Sequence, residues 1–548
     1  MHGVVGSEGA PQHAVAHRTG TAVLTVVDHH GEPLRDAEVT VEQTRHAFTF
    51  GNIGFDFIGL ANGERDPIGT ADPDHLADLF TDVFTTATLP FYWGTFEPEP
   101  GRPATDRLRR TAAWFRDRGL DVKGHPLVWH TVQPDWLLGR PLDEVERLLR
   151  ERIRREVGTF DELVDTWDAI NEVVIMPVFD NGPNAITPLA RAKGRIPMIR
   201  LAFEEARAAN PRATLLLNDF DLSSAYECLI EGVLEAGVQL DAIGLQTHMH
   251  QGYWGEETML AMVDRFARYG LPLHLTETSL VSGELMPADV VDLNDHRVDS
   301  WPSTPEGEAR QADELERHYR SLVGHPAVEA ITYWGITDAG AWLGAPIGLV
   351  RADGTPKPSY EALRRLVKDE WWTPPTVLRT DDRGQVRTTG FRGAYRATVR
   401  GTATDFSIGR QPTEVTVTTS PDDGREARGG PATRLPSVPD CVPAGRKGGL
   451  RPSAWSPAYR PLRGRDADRD RGTLDVGAGR PGAAGAVRGC RRREPRAQRP
   501  RGRRSTAGRP GRAAARGDGP PGRRRAGALA RAARGAGALG GRRGRAQP

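Results

Sequence analysis

The sequence predicts an α/β chain: a closed (β/α)8 barrel flanked by a small β-strand module and followed by a disordered basic tail. Three observations carry this reading. Eight short apolar runs alternate with amphipathic helical patterns between about residues 46 and 370, as parallel strand–helix units require. Strand-like alternation appears on both sides of that region. After about Ser420 the composition changes abruptly to Arg, Gly, Ala and Pro.

The elements follow in order. Residues 1–17 read as a disordered start. Residues 18–45 contain TAVLTVVD, a turn HHGEP and AEVTVEQT; alternation around a Gly-containing turn signals a hairpin. The eight runs of the centre are FTFGNI (48–53), VFTTATL (83–89), DVKGHPLVW (121–129), TWDAINEVV (166–174), TLLLND (214–219), AIGLQTH (242–248), PLHLTE (272–277) and AITYWGI (330–336). Between them lie helical patterns such as LDEVERLLRERIRREV and EGEARQADELERHYRSLV. Eight such units in some 320 residues fit a closed barrel. An open doubly wound sheet would carry a Gly-rich phosphate turn after its first strand, and FGNIGFD is not one. Residues 371–420 return to strand patterns (VLRTDDRGQVRTTGF, AYRATVR, TEVTVTT), which we assign with 18–45 to one module.

The tail, 421–548, holds 32 Lys+Arg against 10 Asp+Glu, a net +22, so the chain's formal +1 leaves −21 on residues 1–420. It is too poor in apolar residues to offset its ordering entropy. Three origins fit it: a polyanion-binding arm, a linker or surface anchor, or a shifted reading frame. We favour the last, because Arg, Gly, Ala and Pro are the residues whose codons can be built from G and C alone.

Other classes are excluded early. No run of 18 apolar residues exists, so no membrane-spanning helix is expected. The first residues lack a basic stretch followed by an apolar one, so no signal peptide is visible. The three cysteines form no C-x-x-C pair, and neither a metal nor a cofactor is expected.

In a barrel of this kind the chemistry gathers at the C-terminal ends of the strands. Those ends carry His125, Trp129 and His130; Asn171 and Glu172; Asn218 and Asp219; Gln246 and His248; Glu277; then Trp334, Asp338 and Trp342. Glu172 and Glu277 follow the fourth and seventh runs, on roughly opposite arcs of an eight-stranded ring. Two carboxyl groups facing across a cleft are the minimum apparatus for glycoside hydrolysis, one protonated and one ionised. Flat Trp faces suit pyranose C–H faces, whereas Trp114 and Trp371 read as core.

The segments GHPLVWH, WDAINE, LLLND, DAIGLQTH, LHLTET and ITYWGITDAGAWL resemble, in order, the landmarks of glycoside hydrolase family 10, the retaining endo-β-1,4-xylanases. The resemblance spans about residues 46–368. It implies a double-displacement mechanism with Glu172 as acid/base and Glu277 as nucleophile. It further implies that Asn171 bonds the sugar 2-hydroxyl and that His248 orients the nucleophile. His125, Trp129 and Gln246 match glycone-side positions, and Trp334 and Trp342 match aromatic walls. The implied partner is a β-linked polysaccharide or oligosaccharide, with no nucleic acid, no membrane and a monomeric chain. Substrate logic places such an enzyme outside the cell.

One strand departs from the family. Aligned on Trp93, Glu97, Pro98 and Gly101, the family's Glu-Asn pair falls on Thr88 and Leu89, and its Lys on Tyr92. Phe91, Tyr92 and Trp93 together suggest a more apolar glycone side, with Tyr92 as a binding residue. A different β-glycan, a smaller β-glycoside, or a non-catalytic carbohydrate-binding barrel therefore stay as alternatives. The segment 278–305 is expected to form a loop over the cleft.

Overall fold

The computed structural model describes residues 15–420. All of them fall in the first of the chain's two units, residues 1–457; the second, 458–548, lies outside the described residues. So do the start before residue 15 and the tail reading; of residues 1–17, expected to be disordered, Ala16 and His17 instead form a 3-10 turn with Arg18.

Fifteen strands are described: β1 Thr19–Val27, β2 Glu38–His46, β3 Thr49–Ile53, β4 Thr86–Pro90, β5 Asp121–His125, β6 Thr166–Asn171, β7 Thr214–Asp219, β8 Ala242–Met249, β9 Leu273–Leu280, β10 Val328–Tyr333, β11 Thr376–Arg379, β12 Gln385–Phe391, β13 Gly393–Val399, β14 Thr402–Ile408 and β15 Thr413–Thr418. Strands β3 to β10 close into a barrel in the order β10-β3-β4-β5-β6-β7-β8-β9, every pair parallel. Each of the eight apolar runs supplies one of these strands. The run at 121–129 pairs only as far as His125, and residues 126–130 leave the sheet as a loop at the barrel mouth.

Helices cover the barrel with amphipathic faces. The helix Leu142–Thr159 buries Val145, Leu149, Ile153 and Val157, an i, i+4, i+8, i+12 stripe. Arg152 on the same helix is buried and donates to the carbonyls of Leu127 and Phe91, tying the β4 and β5 loops to the helix layer. Close strand packing dictates at least one glycine: a Cβ on Gly124 would lie 2.3 Å from the Trp167 ring on β6.

The flanking strands form two further sheets, β12-β1-β15 and β11-β2-β13-β14. They enclose a separate apolar cluster that includes Leu24, Val26, Val39, Val41, Tyr395 and Val417. β1 pairs antiparallel with β12 and parallel with β15, so segments nearly 400 residues apart share one sheet. Arg18 joins this part to the barrel by donating to the carbonyls of Val323, His325 and Val328.

Candidate active site

The site is built from strand ends upward. Inside the barrel, Lys123 and His125 on β5 converge on Asp168 on β6: Lys123 Nζ lies 2.9 Å and His125 Nδ1 2.7 Å from Asp168 Oδ2. Burial alone would raise the Asp168 carboxyl, but these two neighbours hold it below its usual range. This fully buried cluster fixes the His125 ring, which leaves Nε2 aimed at the mouth, 3.9 Å from Glu277 Oε1.

One residue beyond β6, Glu172 adopts a left-handed backbone at φ 57. For a non-glycine residue this conformation carries strain and concentrates at functional positions. Its carboxylate accepts from Trp129 Nε1 at 2.7 Å and from Asn171 Nδ2 at 3.2 Å. Burial pushes the Glu172 carboxyl up to about 8, against the Trp129 hydrogen bond and with help from the charges of Glu277 and Asp219. Asp219, at the end of β7, is itself pushed up to about 7 by burial.

Glu277, 5% exposed, lies within β9. Asn218 Nδ2 donates to its Oε1 at 2.9 Å, and His248 Nε2 sits 3.1 Å from its Oε2. Ser279 Oγ holds the other His248 nitrogen at 3.0 Å. Asn218 also donates to Asn171 Oδ1 at 2.8 Å, and Gln246 Nε2 reaches the same oxygen at 3.1 Å. The two glutamates are thereby joined through an Asn171–Asn218 relay. Register shifts next to Asp168 in β6 and Gln246 in β8 re-aim the side chains that follow, as bulges do beside active sites.

Aromatic rings close the rim. Tyr92 stands 5.6 Å from His125 and 5.5 Å from Trp129, centroid to centroid. Trp334 lies 5.1 Å from His125 and 6.1 Å from His248, and Trp342 lies 4.9 Å from His248. Trp114 and Trp371 instead pack in the apolar core. Ten residues read from the sequence as site residues stand at this one end: Tyr92, His125, Trp129, Asn171, Glu172, Gln246, His248, Glu277, Trp334 and Trp342.

Two sequence expectations are corrected. Phe91 and Trp93 do not line the cleft. Phe91 is fully buried against Phe160 and Trp167, and Trp93 donates to Glu97 beneath the rim. Consecutive residues leaving a strand point to opposite sides, so only Tyr92 of the three faces the site. Leu89 is likewise buried in the apolar core. Residues the sequence reading did not place in the site are Lys123 and Asp168, and it gave Asn218 no role beyond its place at a strand end. Asp168 is visible in the sequence as the second acid, beside Glu172, of the run 166–174.

Residues 81–366 match the model of the Glycosyl hydrolase family 10. This chain belongs to glycosyl hydrolase family 10. Its barrel is thus that of a glycoside hydrolase. Among relatives in the family, it is 28% identical over 292 residues to endo-1,4-beta-xylanase B of Thermotoga neapolitana, spanning 51% of this chain and 78% of that protein. It is 28% identical over 263 residues to an endo-1,4-beta-xylanase of Geobacillus stearothermophilus, spanning 45% and 75%. The anti-sigma-I factor RsgI6 of Acetivibrio thermocellus is 26% identical over 69% of this chain and 44% of its own length. The solved structure of xylanase 10B from Thermotoga petrophila with xylobiose aligns at a TM-score of 0.48 and 23% identity, covering 59% of this chain and 95% of that one.

Proposed function

We propose that this family 10 enzyme hydrolyses β-1,4-linked xylan-type chains with retention, Glu277 acting as nucleophile and Glu172 as acid/base. The observation that carries the reading is the contrast between the two carboxyls. Glu172 is pushed up to about 8 and stays protonated near neutrality. Glu277 is instead held on both oxygens, accepting from Asn218 at one and bonded to His248 at the other, which fixes its carboxyl for attack.

The steps follow from this arrangement. The Glu277 carboxylate attacks the anomeric carbon while the glycosidic C–O bond breaks. Glu172 delivers its proton to the departing oxygen. Glu172, now ionised, takes a proton from water, whose oxygen displaces Glu277 from the anomeric carbon. Asn171, held by Asn218 and Gln246, is placed beside Glu172 to donate to a sugar hydroxyl. His125, Trp129, Trp334 and Trp342 supply faces and edges for the ring.

The test uses Glu277→Ala and Glu172→Ala on xylo-oligosaccharides. Glu277→Ala is expected to abolish turnover. Glu172→Ala is expected to lose about 10²–10⁴-fold, and much less on aryl glycosides whose leaving group needs no proton. Wild-type-like turnover in Glu277→Ala would refute the assignment.

A further inference from the structure

The ring contacts of the rim are not evenly distributed. Strands β10, β3, β4 and β5 are consecutive neighbours in the barrel, and each contributes one ring at its C-terminal end. Trp334 follows β10, Phe55 follows β3, Tyr92 follows β4, and His125 closes β5. Successive rings touch around a complete circuit. Trp334–Phe55 is 5.9 Å, Phe55–Tyr92 6.0 Å, Tyr92–His125 5.6 Å and His125–Trp334 5.1 Å.

All four separations lie in the range of direct ring contact. A sugar ring between two of these rings would need two contact layers of about 3.5–4 Å each, more than any of the four gaps provides. The circuit is also cross-braced, because Trp129 packs on Tyr92 while donating to Glu172. The arc from β6 to β8 differs. The loops following these strands carry exposed apolar residues, Val178 at 62%, Phe220 at 47% and Trp254 at 37%, and the touching rings His248, His250 and Trp342 stand at the arc's β8 edge.

Resting on the reading given under Proposed function, we propose that the aromatic circuit ends the glycone side after one sugar, so that the enzyme trims β-linked chains from the non-reducing end, with Phe55 and Tyr92 as the specificity-determining residues. The remainder of the substrate then lies toward the β6–β8 loops.

The experiment compares kcat/KM of the wild-type full chain on 4-nitrophenyl β-xyloside and 4-nitrophenyl β-xylobioside. The monosaccharide donor is expected to be better by at least about tenfold. Xylohexaose tagged at its reducing end is expected to shorten by one sugar per turnover. Tyr92→Ala and Phe55→Ala each shift the donor ratio toward the disaccharide by about tenfold, and the wild-type ratio stands whether or not these variants fold. Preference of the wild type for the disaccharide donor, or tagged trisaccharide among the first products, overturns the one-sugar pocket. Inertness toward both donors overturns the xylan reading itself.

Discussion

Replacing Trp129 with Phe separates the indole N–H from the ring that carries it. The N–H donates to Glu172 Oε2 at 2.7 Å, and this bond holds the Glu172 carboxyl lower than burial alone would set it. A hydrogen bond to an ionised group is worth about 1.5–3 kcal/mol, and one pKa unit corresponds to about 1.4 kcal/mol. Removing the donor therefore raises the Glu172 carboxyl by about one to two units above its value near 8. The acid must be protonated to assist departure, so activity falls as pH rises through that value. The basic limb of kcat/KM reports it in the free enzyme. On xylo-oligosaccharides between pH 5 and 10, the limb is expected near 8 in the wild type and at about 9–10 in Trp129→Phe. Loss of ring area changes the height of the profile without moving the limb. His130, whose Nε2 is 3.8 Å from Glu172, is pushed down to about 3 by burial, so it stays neutral throughout and cannot produce the limb. A limb that stays in place or moves downward would refute Glu172 as the titrating acid.

Two further outcomes follow from the same site. Glu172 binds its proton more tightly in the folded chain, at about 8, than at its ordinary value of 4.5, so the wild type loses stability as pH rises through that interval. Glu172→Gln does not titrate; its stability advantage in urea unfolding is expected to grow from pH 4.5 to pH 8, reaching at most about 5 kcal/mol, and an advantage independent of pH would contradict the burial argument. Asn218→Ala removes the donor at Glu277 Oε1 and breaks the link to Asn171; steady-state kinetics should show kcat/KM lower by roughly 10–150-fold, and an unchanged value would remove Asn218 from the site.

Much of this protein is local information. Each barrel strand is announced by its own apolar run, because a strand covered on both faces needs no distant partner to explain its composition. The rim chemistry is legible for the same reason: a carboxylate, amide or imidazole at the end of an apolar run has few roles other than at a mouth. Glu172, Glu277, Asn171 and His248 could be named on that basis, with the family's segment order assigning their roles.

Other features exist only once the chain closes. A period-2 pattern tells which residues share a face, not which strand lies alongside, so the pairing of β1 with both β12 and β15 is not written in either segment. Phe91, Tyr92 and Trp93 are three adjacent aromatics of similar composition; the turn leaving β4 sends two into the core and one into the cleft. The Lys123–His125–Asp168 cluster and the Asn218 bond to Glu277 join residues 43 to 59 positions apart. The value near 8 at Glu172 arises from removing water around it, which only packing can do. The strands and the chemistry at their ends are thus written in local runs of residues. Tertiary structure decided which rings touch, which donors reach each carboxyl, and how much water remains between them.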